Sequence, residues 1–330
     1  MKKVQCIIML VAGFLILSGS VALSASTSIL IIESYHAEYP WDKSYIQGIR
    51  EGMKGDYEFF TFEMDTKRIP QSEYEKSAQK AWEYYLEKKP ALVFLGDDNA
   101  LKYLSARFAK EKTPVVFLGI NNNPRAYDIF SAVNMTGVLE RPLLKRSIVE
   151  MDKLLELKKV LILFDSGTTS KVVLSEVFNG KEEMKISDID IHLKLIGSWE
   201  TWQETVLNCK NEGYDAMVIG LYHTIVDKTN THIDAEKVLN WTSKNTPIPP
   251  FAFWDFAVGP GKAIGGLTLF GKTQGQAAAE MAIEILKGTQ PSKIQVRYGE
   301  KGNLLFSRTQ LKKYNIDLPE DIASKATLTD

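Results

Sequence analysis

The fold is decided at residues 29–41, which read Ile29-Leu30-Ile31-Ile32-Glu33-Ser34-Tyr35-His36-Ala37-Glu38-Tyr39-Pro40-Trp41. The apolar run at its start is typical of a strand buried in a parallel sheet. Residues 42–54 follow with apolar side chains at Tyr45, Ile46, Ile49 and Met53, a spacing that predicts a helix. Residues 34–41 are therefore the first strand-to-helix turn of an α/β domain, where such folds bind ligands. This turn carries aromatic side chains and a histidine, whereas a plain connection favours Gly, Ser and Asp.

The same alternation of strand and helix continues in two series. The first predicts strands at residues 57–62, 91–95, 114–118 and 136–139, and the second at 159–164, 191–196, 215–219 and 250–253, with a helix at 169–183. Alternation of this kind implies parallel sheets with right-handed crossovers.

The end of the chain is too short to form another domain. A strand at 263–270, a helix at 273–287 and a strand at 294–297 must pack onto the existing units. We therefore predict an α/β protein with two doubly wound parallel-sheet lobes joined by a multi-strand hinge. Lobe 1 would comprise residues 26–138 and 268–295, and lobe 2 residues 139–267 and 296–330.

Residues 1–25 have the composition of a signal peptide. Lys2 and Lys3 precede an apolar stretch at residues 7–17, and Ala22-Leu23-Ser24-Ala25 supplies small residues for cleavage. A membrane anchor is the alternative, but a spanning helix needs about 20 apolar residues. The cleavage region has no lipid-attachment pattern. We expect a periplasmic or secreted protein in which Cys209 is the remaining cysteine and forms no internal disulfide.

The charge balance argues against nucleic acid and anionic membranes as partners, because 40 Lys and Arg face 41 Asp and Glu, a net charge of −1. The four histidines show no metal-ligand spacing. No Gly-x-Ser-x-Gly motif indicates a hydrolase, although a Ser-His-Asp triad remains open. We expect no metal, no cofactor and no catalytic residues.

Polar and aromatic residues recur where the predicted strands end. Such residues suit a ligand cleft, which needs aromatic walls and a few fixed polar groups. The candidate ligand-binding residues are Tyr35, His36, Trp41, Asp97, Asp98, Asn99, Asn121, Asn122, Glu140, Asp165, Thr168, Trp254 and Asp255. Some of these residues have a structural alternative. Asp97 and Asn99 would serve as helix caps, and Trp41 would be part of the hydrophobic core. Glu140 would form an ion pair with Arg141 or Lys145.

Several of these segments together resemble the substrate-binding proteins of ABC transporters with the type 1 periplasmic-binding-protein fold. The matching segments are residues 34–41, Asp97-Asp98-Asn99-Ala100, Gly119-Ile120-Asn121-Asn122, Thr136-Gly137-Val138, and Gly265-Gly266 with Gln274-Gly275-Gln276. One branch of this family also occurs as extracellular sensor domains. The resemblance implies two lobes, a three-strand hinge, a ligand in the cleft, and a separate ABC permease or membrane sensor as partner. Related binders of aromatic amino acids have a different first loop.

We therefore expect an exported, monomeric solute-binding protein that captures a small organic ligand for uptake. Carboxylates beside aromatic rings favour an amino-acid-like ligand or an aromatic amine. The alternatives are a sensing module that docks a membrane kinase or chemoreceptor, and an exported hydrolase.

Overall fold

A computed structural model of the protein describes residues 26–127, 129–299 and 301–330. The predicted signal peptide at residues 1–25 lies outside the described residues. Within the described ranges, no helix combines the length and the apolar character needed to cross a membrane.

The described chain alternates strands and helices through most of its length. The strands are β1 Thr27–Glu33, β2 Tyr57–Glu63, β3 Leu92–Gly96, β4 Val115–Ile120, β5 Met135–Leu139, β6 Lys159–Phe164, β7 Glu183–Ile186, β8 Ile189–Leu195, β9 Ala216–Ile219, β10 Pro250–Ala252, β11 Gly265–Thr268, β12 Arg297–Tyr298, β13 Asn303–Ser307 and β14 Thr327–Thr329. The helices are α1 Pro40–Gly52, α2 Tyr74–Lys88, α3 Asp97–Phe108, α4 Leu144–Leu155, α5 Thr168–Glu176, α6 Trp199–Asn208, α7 Ala235–Asn245, α8 Gly271–Leu286, α9 Arg308–Tyr314 and α10 Glu320–Ala323.

Two parallel sheets form the centres of two lobes, which confirms the predicted fold class. Lobe 1 contains a six-stranded sheet in the order β12-β5-β4-β3-β1-β2, and every pairing in it is parallel. Lobe 2 contains a five-stranded sheet in the order β10-β9-β6-β8-β7, parallel except at β7. A third sheet, β11-β13-β14, lies beside β10. Residues 29–32 of β1 and residues 160–164 of β6 are fully buried, as parallel strands covered on both faces require.

The chain passes between the lobes three times. It leaves lobe 1 after β5, returns to it from β11 into α8, and leaves again between β12 and β13. The sequence places the first passage at residue 139 and the last at residue 296. In the structure, Leu139 still belongs to β5, and Arg297 and Tyr298 of β12 pair with Val138 and Leu139. Three connections restrain the lobes to a hinge motion.

The helix predicted at residues 169–183 is wrong in its second half. Helix α5 ends at Glu176, and Glu183–Ile186 pairs antiparallel with β8. The chain turns at Asn179 and Gly180, which have φ values of 53° and 73°. Asn and Gly are the residues that most readily adopt this left-handed conformation, so they end the helix.

Helices α1 and α8 pack closely on lobe 1 because each places a glycine at the contact. A Cβ atom at Gly48 would overlap the carbonyl oxygen of Lys272, and one at Gly275 would overlap the carbonyl oxygen of Tyr45. Since Tyr45 and Trp41 both belong to α1, this contact also fixes the helix that begins at the carboxyl edge of the lobe 1 sheet.

Replacing Gly275 by Ala should lower the free energy of unfolding by about 1–3 kcal/mol, because the added methyl group forces the two backbones apart. Urea denaturation followed by circular dichroism measures this loss. The matched control is Gln47→Ala, an exposed position on α1 whose side chain donates a hydrogen bond to Glu51. It should change stability by no more than about 0.5 kcal/mol. Equal midpoints for the two variants would contradict the requirement for close approach.

Candidate ligand-binding site between the lobes

Six of the predicted residues come together in a cavity between the lobes. The interlobe cavity has a volume of about 10 Å³. Its lining contains the predicted residues Tyr35, Trp41, Asp97, Asn121, Glu140 and Trp254. The sequence did not identify its other members, Tyr39, Thr169 and Leu221.

Lobe 1 supplies the polar floor of the interlobe cavity from the carboxyl ends of adjacent strands. Asp97 follows β3, Asn121 follows β4 and Glu140 follows β5, and these three strands are neighbours in the sheet. Tyr35 comes from the turn after β1, which pairs with β3. Because parallel strands end at the same edge, residues far apart in sequence meet here.

Lobe 2 supplies the opposite wall in the same manner. Thr169 lies in the first turn of α5 after β6, Leu221 follows β9, and Trp254 follows β10. These strands are also neighbours in their sheet. The carboxyl edges of the two sheets therefore face each other across the hinge.

Direct contacts join the two walls. The Tyr35 hydroxyl donates to Asp97 Oδ1 at 2.9 Å and lies 3.0 Å from Thr169 Oγ1 of lobe 2. Trp254 Nε1 donates to Glu140 Oε1 at 2.6 Å. A cavity of about 10 Å³ admits at most a single water molecule. A larger ligand therefore requires the lobes to move apart, as a hinge permits.

Asp97 is held in an unusual state at this floor. Its φ of 70° lies in the left-handed region, which Asp tolerates better than most residues. Burial, together with the neighbouring charge of Asp98, raises the pKa of Asp97 to about 7. Burial and the charge of Asp97 also hold the pKa of Glu140 well above its usual range.

Two hydrogen-bond acceptors at the floor of the interlobe cavity have no donor among the described residues. Asp97 Oδ2 and Asn121 Oδ1 are buried and unpartnered. Four aromatic side chains, Tyr35, Tyr39, Trp41 and Trp254, surround them, each no more than 3% exposed. Buried acceptors without donors are costly, and aromatic faces attract cations. This combination suits a ligand with N–H donors and positive charge.

Two of the predicted acids hold loops together and do not line the interlobe cavity. Asp98 accepts hydrogen bonds from the backbone N–H groups of Asn121 and Asn122 at 3.1 and 3.0 Å. Asp165 accepts four hydrogen bonds within lobe 2, from Gly167 N, Ser170 Oγ, His223 N and Thr224 N. With its acceptor sites used in this way, Asp165 organises the loops after β6 and β9.

The remaining predicted residues lie around the interlobe cavity. Asn99 donates to Thr66 Oγ1 at 2.8 Å. Asn122 and Thr168 line an opening of the cleft, and His36 lines another. Asp255 begins a short turn after Trp254 and is not part of the cavity lining. Glu140 bonds to Trp254, whereas the guanidinium of Arg141 donates to backbone carbonyls.

The residues that the sequence missed had weak signals. Tyr39 lies within residues 34–41, and Thr169 follows the predicted Thr168, so both adjoin residues that the sequence pattern does indicate. Leu221 carries no polar group and gave no signal. Among the described residues, no group of three or more His, Cys, Asp and Glu side chains is arranged to hold a metal ion.

Comparisons with solved structures show the same architecture over nearly the whole chain. The ABC domain of Streptococcus pneumonia in complex with L-Trp is 15% identical, with a TM-score of 0.65 over 92% of this chain and 99% of that one. A conserved domain protein of Vibrio cholerae is 15% identical, with a TM-score of 0.67 over 92% and 100%. A ligand-free, open substrate-binding protein of Clostridium difficile with adhesive properties is 14% identical, with a TM-score of 0.58 over 92% and 100%.

The sequence itself gives a more specific assignment. A search of curated proteins gives no match. The profile of the ABC transporter substrate-binding proteins, however, matches residues 40–329. This match includes all three passages between the lobes, and of the strands given above β1 alone precedes it. The chain therefore belongs to the ABC transporter substrate-binding protein family.

Proposed function

We propose that the protein captures a small ligand carrying a protonated amine and an aromatic group, and delivers it outside the cytoplasm to a separate ABC permease. The lobes open at the hinge to admit the ligand and close on it. Ligand affinity for the closed arrangement then shifts the population of lobe positions. The protein binds its ligand without transforming it.

The unpartnered acceptors in the interlobe cavity carry this proposal. An ammonium group placed at the floor would donate to Asp97 Oδ2 and Asn121 Oδ1, which are buried and have no donor among the residues that the structure describes. Its charge would compensate the carboxylate of Asp97, and the four aromatic faces would hold both the cation and an attached ring. With a neutral ligand, only the Tyr35 hydroxyl and the charge of Lys67 would stabilise the ionised form of Asp97.

The S. pneumonia structure supports the ligand class by analogy. It holds L-Trp, which combines an ammonium group with an aromatic ring. At 15% identity the likeness concerns the fold, so the ligand class proposed for this chain depends on its own cavity.

A thermal-shift screen tests the proposal. The panel contains tyramine, tryptamine, L-Tyr, L-Trp and L-Phe, each compared with a neutral analogue such as p-cresol or 3-methylindole. We expect at least one amine to raise the melting temperature while its neutral analogue leaves it unchanged. If the neutral analogues stabilise the protein equally, or no amine stabilises it, the amine assignment is wrong.

The affinity for such an amine should fall as the pH decreases below about 7. Asp97, whose pKa is raised to about 7, must be ionised to pair with an ammonium group. Binding at pH 6 therefore releases a proton, and the affinity changes by up to about tenfold per pH unit on the acid side. Calorimetry in two buffers of different ionisation enthalpy measures the released proton. An affinity that is constant from pH 5.5 to 8, or that rises on acidification, would contradict this assignment.

A further inference from the structure

A second recess adjoins the interlobe cavity. It is lined by positively charged side chains, whereas the charged side chains of the interlobe cavity are acidic. This recess, which we name the cleft mouth, has a volume of about 580 Å³ and includes residues of both lobes. Lys67, Arg68 and Lys102 line it from lobe 1, and Lys171 from lobe 2. No Asp or Glu is among its described lining residues.

Lys67 is the most informative of these cations. Its side chain is only 6% exposed, yet its ammonium group has no hydrogen bond or ion pair with any described residue. It lies over the ring of Tyr35, 4.5 Å from the ring centroid. Arg68, in contrast, is paired with Asp65 and Glu38. The charges of Asp97 and Asp42 act on this ammonium group through space, but its N–H donors have no acceptor among the described residues and are free to bind an anionic group of a ligand.

The position of Lys67 argues against a role limited to balancing the charge of Asp97. Lys67 lines the cleft mouth and is not part of the lining of the interlobe cavity. It also borders a third recess, but Glu38, Asp234 and Glu236 are among the residues lining that one. The cleft mouth is therefore the side on which an anion meets no carboxylate among the described lining residues.

Helix α5 adds backbone donors at the same place. It begins at Thr168 in the cleft mouth, where the Asp165 carboxylate accepts from Gly167 N and Ser170 Oγ, and the N-cap, Gly167, makes no side-chain capping hydrogen bond. The next residue, Thr169, lines the interlobe cavity. The N–H groups of a first helical turn, with the helix dipole, favour an anion. The two recesses thus meet at adjacent residues of one helix.

We propose that the cleft mouth binds an anionic group of the ligand, a carboxylate or a phosphate, through Lys67 and the first turn of α5. This inference rests on the proposed function, since it extends the ligand from the interlobe cavity. The ligand is then bipolar, with its ammonium group at Asp97 and its acidic group beyond the Tyr35 ring. Because the mouth contains cations from both lobes, the anion also helps to hold the lobes together.

Titration with inorganic phosphate and, separately, with malonate tests the cleft mouth without knowledge of the ligand. Ionic strength is held constant with chloride, and the fluorescence of the tryptophans, two of which line the adjoining cavity, reports binding. We expect a saturable response to at least one anion, and the anion that binds more tightly distinguishes phosphate from carboxylate. Lys67→Met should weaken that binding at least tenfold, and Lys171→Gln should weaken it severalfold.

Lys80→Met is the matched control, because Lys80 is an exposed lysine on α2 and its loss changes the net charge equally. It should bind the anion as the unaltered protein does. Lys171 is exposed, so Lys171→Gln preserves the fold even if Lys67→Met does not. The absence of a saturable response, or equal binding by Lys171→Gln and Lys80→Met, would overturn the inference.

The outcome is separable from that of the amine screen. Asp97→Asn should weaken amine binding by about 30- to 1000-fold and leave the anion titration intact. An anion response without any amine response would refute the proposed ligand class and retain the anion site. An amine response without any anion response would retain the ligand class and refute the anion site.

Discussion

Replacing Asp97 by Asn should reduce the affinity for the amine that gives the largest thermal shift by about 30- to 1000-fold. The substitution removes the charge that faces the ammonium group in a buried cavity, and losing one partner of such a pair costs roughly 2–4 kcal/mol. Asn is the suitable replacement because it has nearly the same shape and tolerates the left-handed conformation of residue 97, where φ is 70°. Isothermal titration calorimetry at pH 8 measures the change.

The matched control for this variant is Asp255→Asn. Burial raises the pKa of Asp255 to about 6, so it is also a poorly solvated acid, but it lies outside the interlobe cavity lining. It should retain the affinity of the unaltered protein. Similar affinities for the two variants would show that Asp97 does not contact the ammonium group, and the pH dependence predicted above should disappear only in Asp97→Asn.

The sequence could predict which segments form this site, because the apolar runs in it show where each strand ends. Asp97, Asn121 and Glu140 each follow an apolar run, and parallel strands bring such positions to one edge. What the sequence could not predict is where each side chain points. Asp97 and Asp98 are adjacent and chemically identical, yet one faces the cavity and the other binds the backbone of residues 121 and 122.

The third sheet and Lys67 show two further limits. Strand β14 has three residues, and β13 pairs with β11 across more than thirty residues of chain, so neither has a periodicity that a local pattern detects. Lys67 lies in the connection between β2 and α2, where a lysine normally indicates a solvated loop. Its burial arises only because lobe 1 folds this loop over Tyr35.

Replacing Asp165 by Ala should destabilise the protein by about 3–5 kcal/mol. The carboxylate is fully buried and accepts from Gly167 N at 3.0 Å, Ser170 Oγ at 2.6 Å, His223 N at 2.8 Å and Thr224 N at 3.1 Å. Removing it leaves these donors without an acceptor in a place that water reaches poorly, and each unsatisfied donor costs about 1–3 kcal/mol. Urea denaturation of the ligand-free protein measures the loss.

Asp227→Ala is the control that shows whether the loss of stability depends on the burial of the carboxylate or only on the number of hydrogen bonds that it accepts. Asp227 also accepts from several donors, Thr229 N, Thr229 Oγ1 and Thr231 N, but its loop is open to solvent. Water can replace the lost acceptor there, so stability should change by less than about 1 kcal/mol. If Asp165→Ala were as stable as Asp227→Ala but bound the amine poorly, Asp165 would be a ligand contact. The hydrogen bonds that it accepts argue that its loss acts first on the fold of lobe 2, and on binding only through the displaced start of α5.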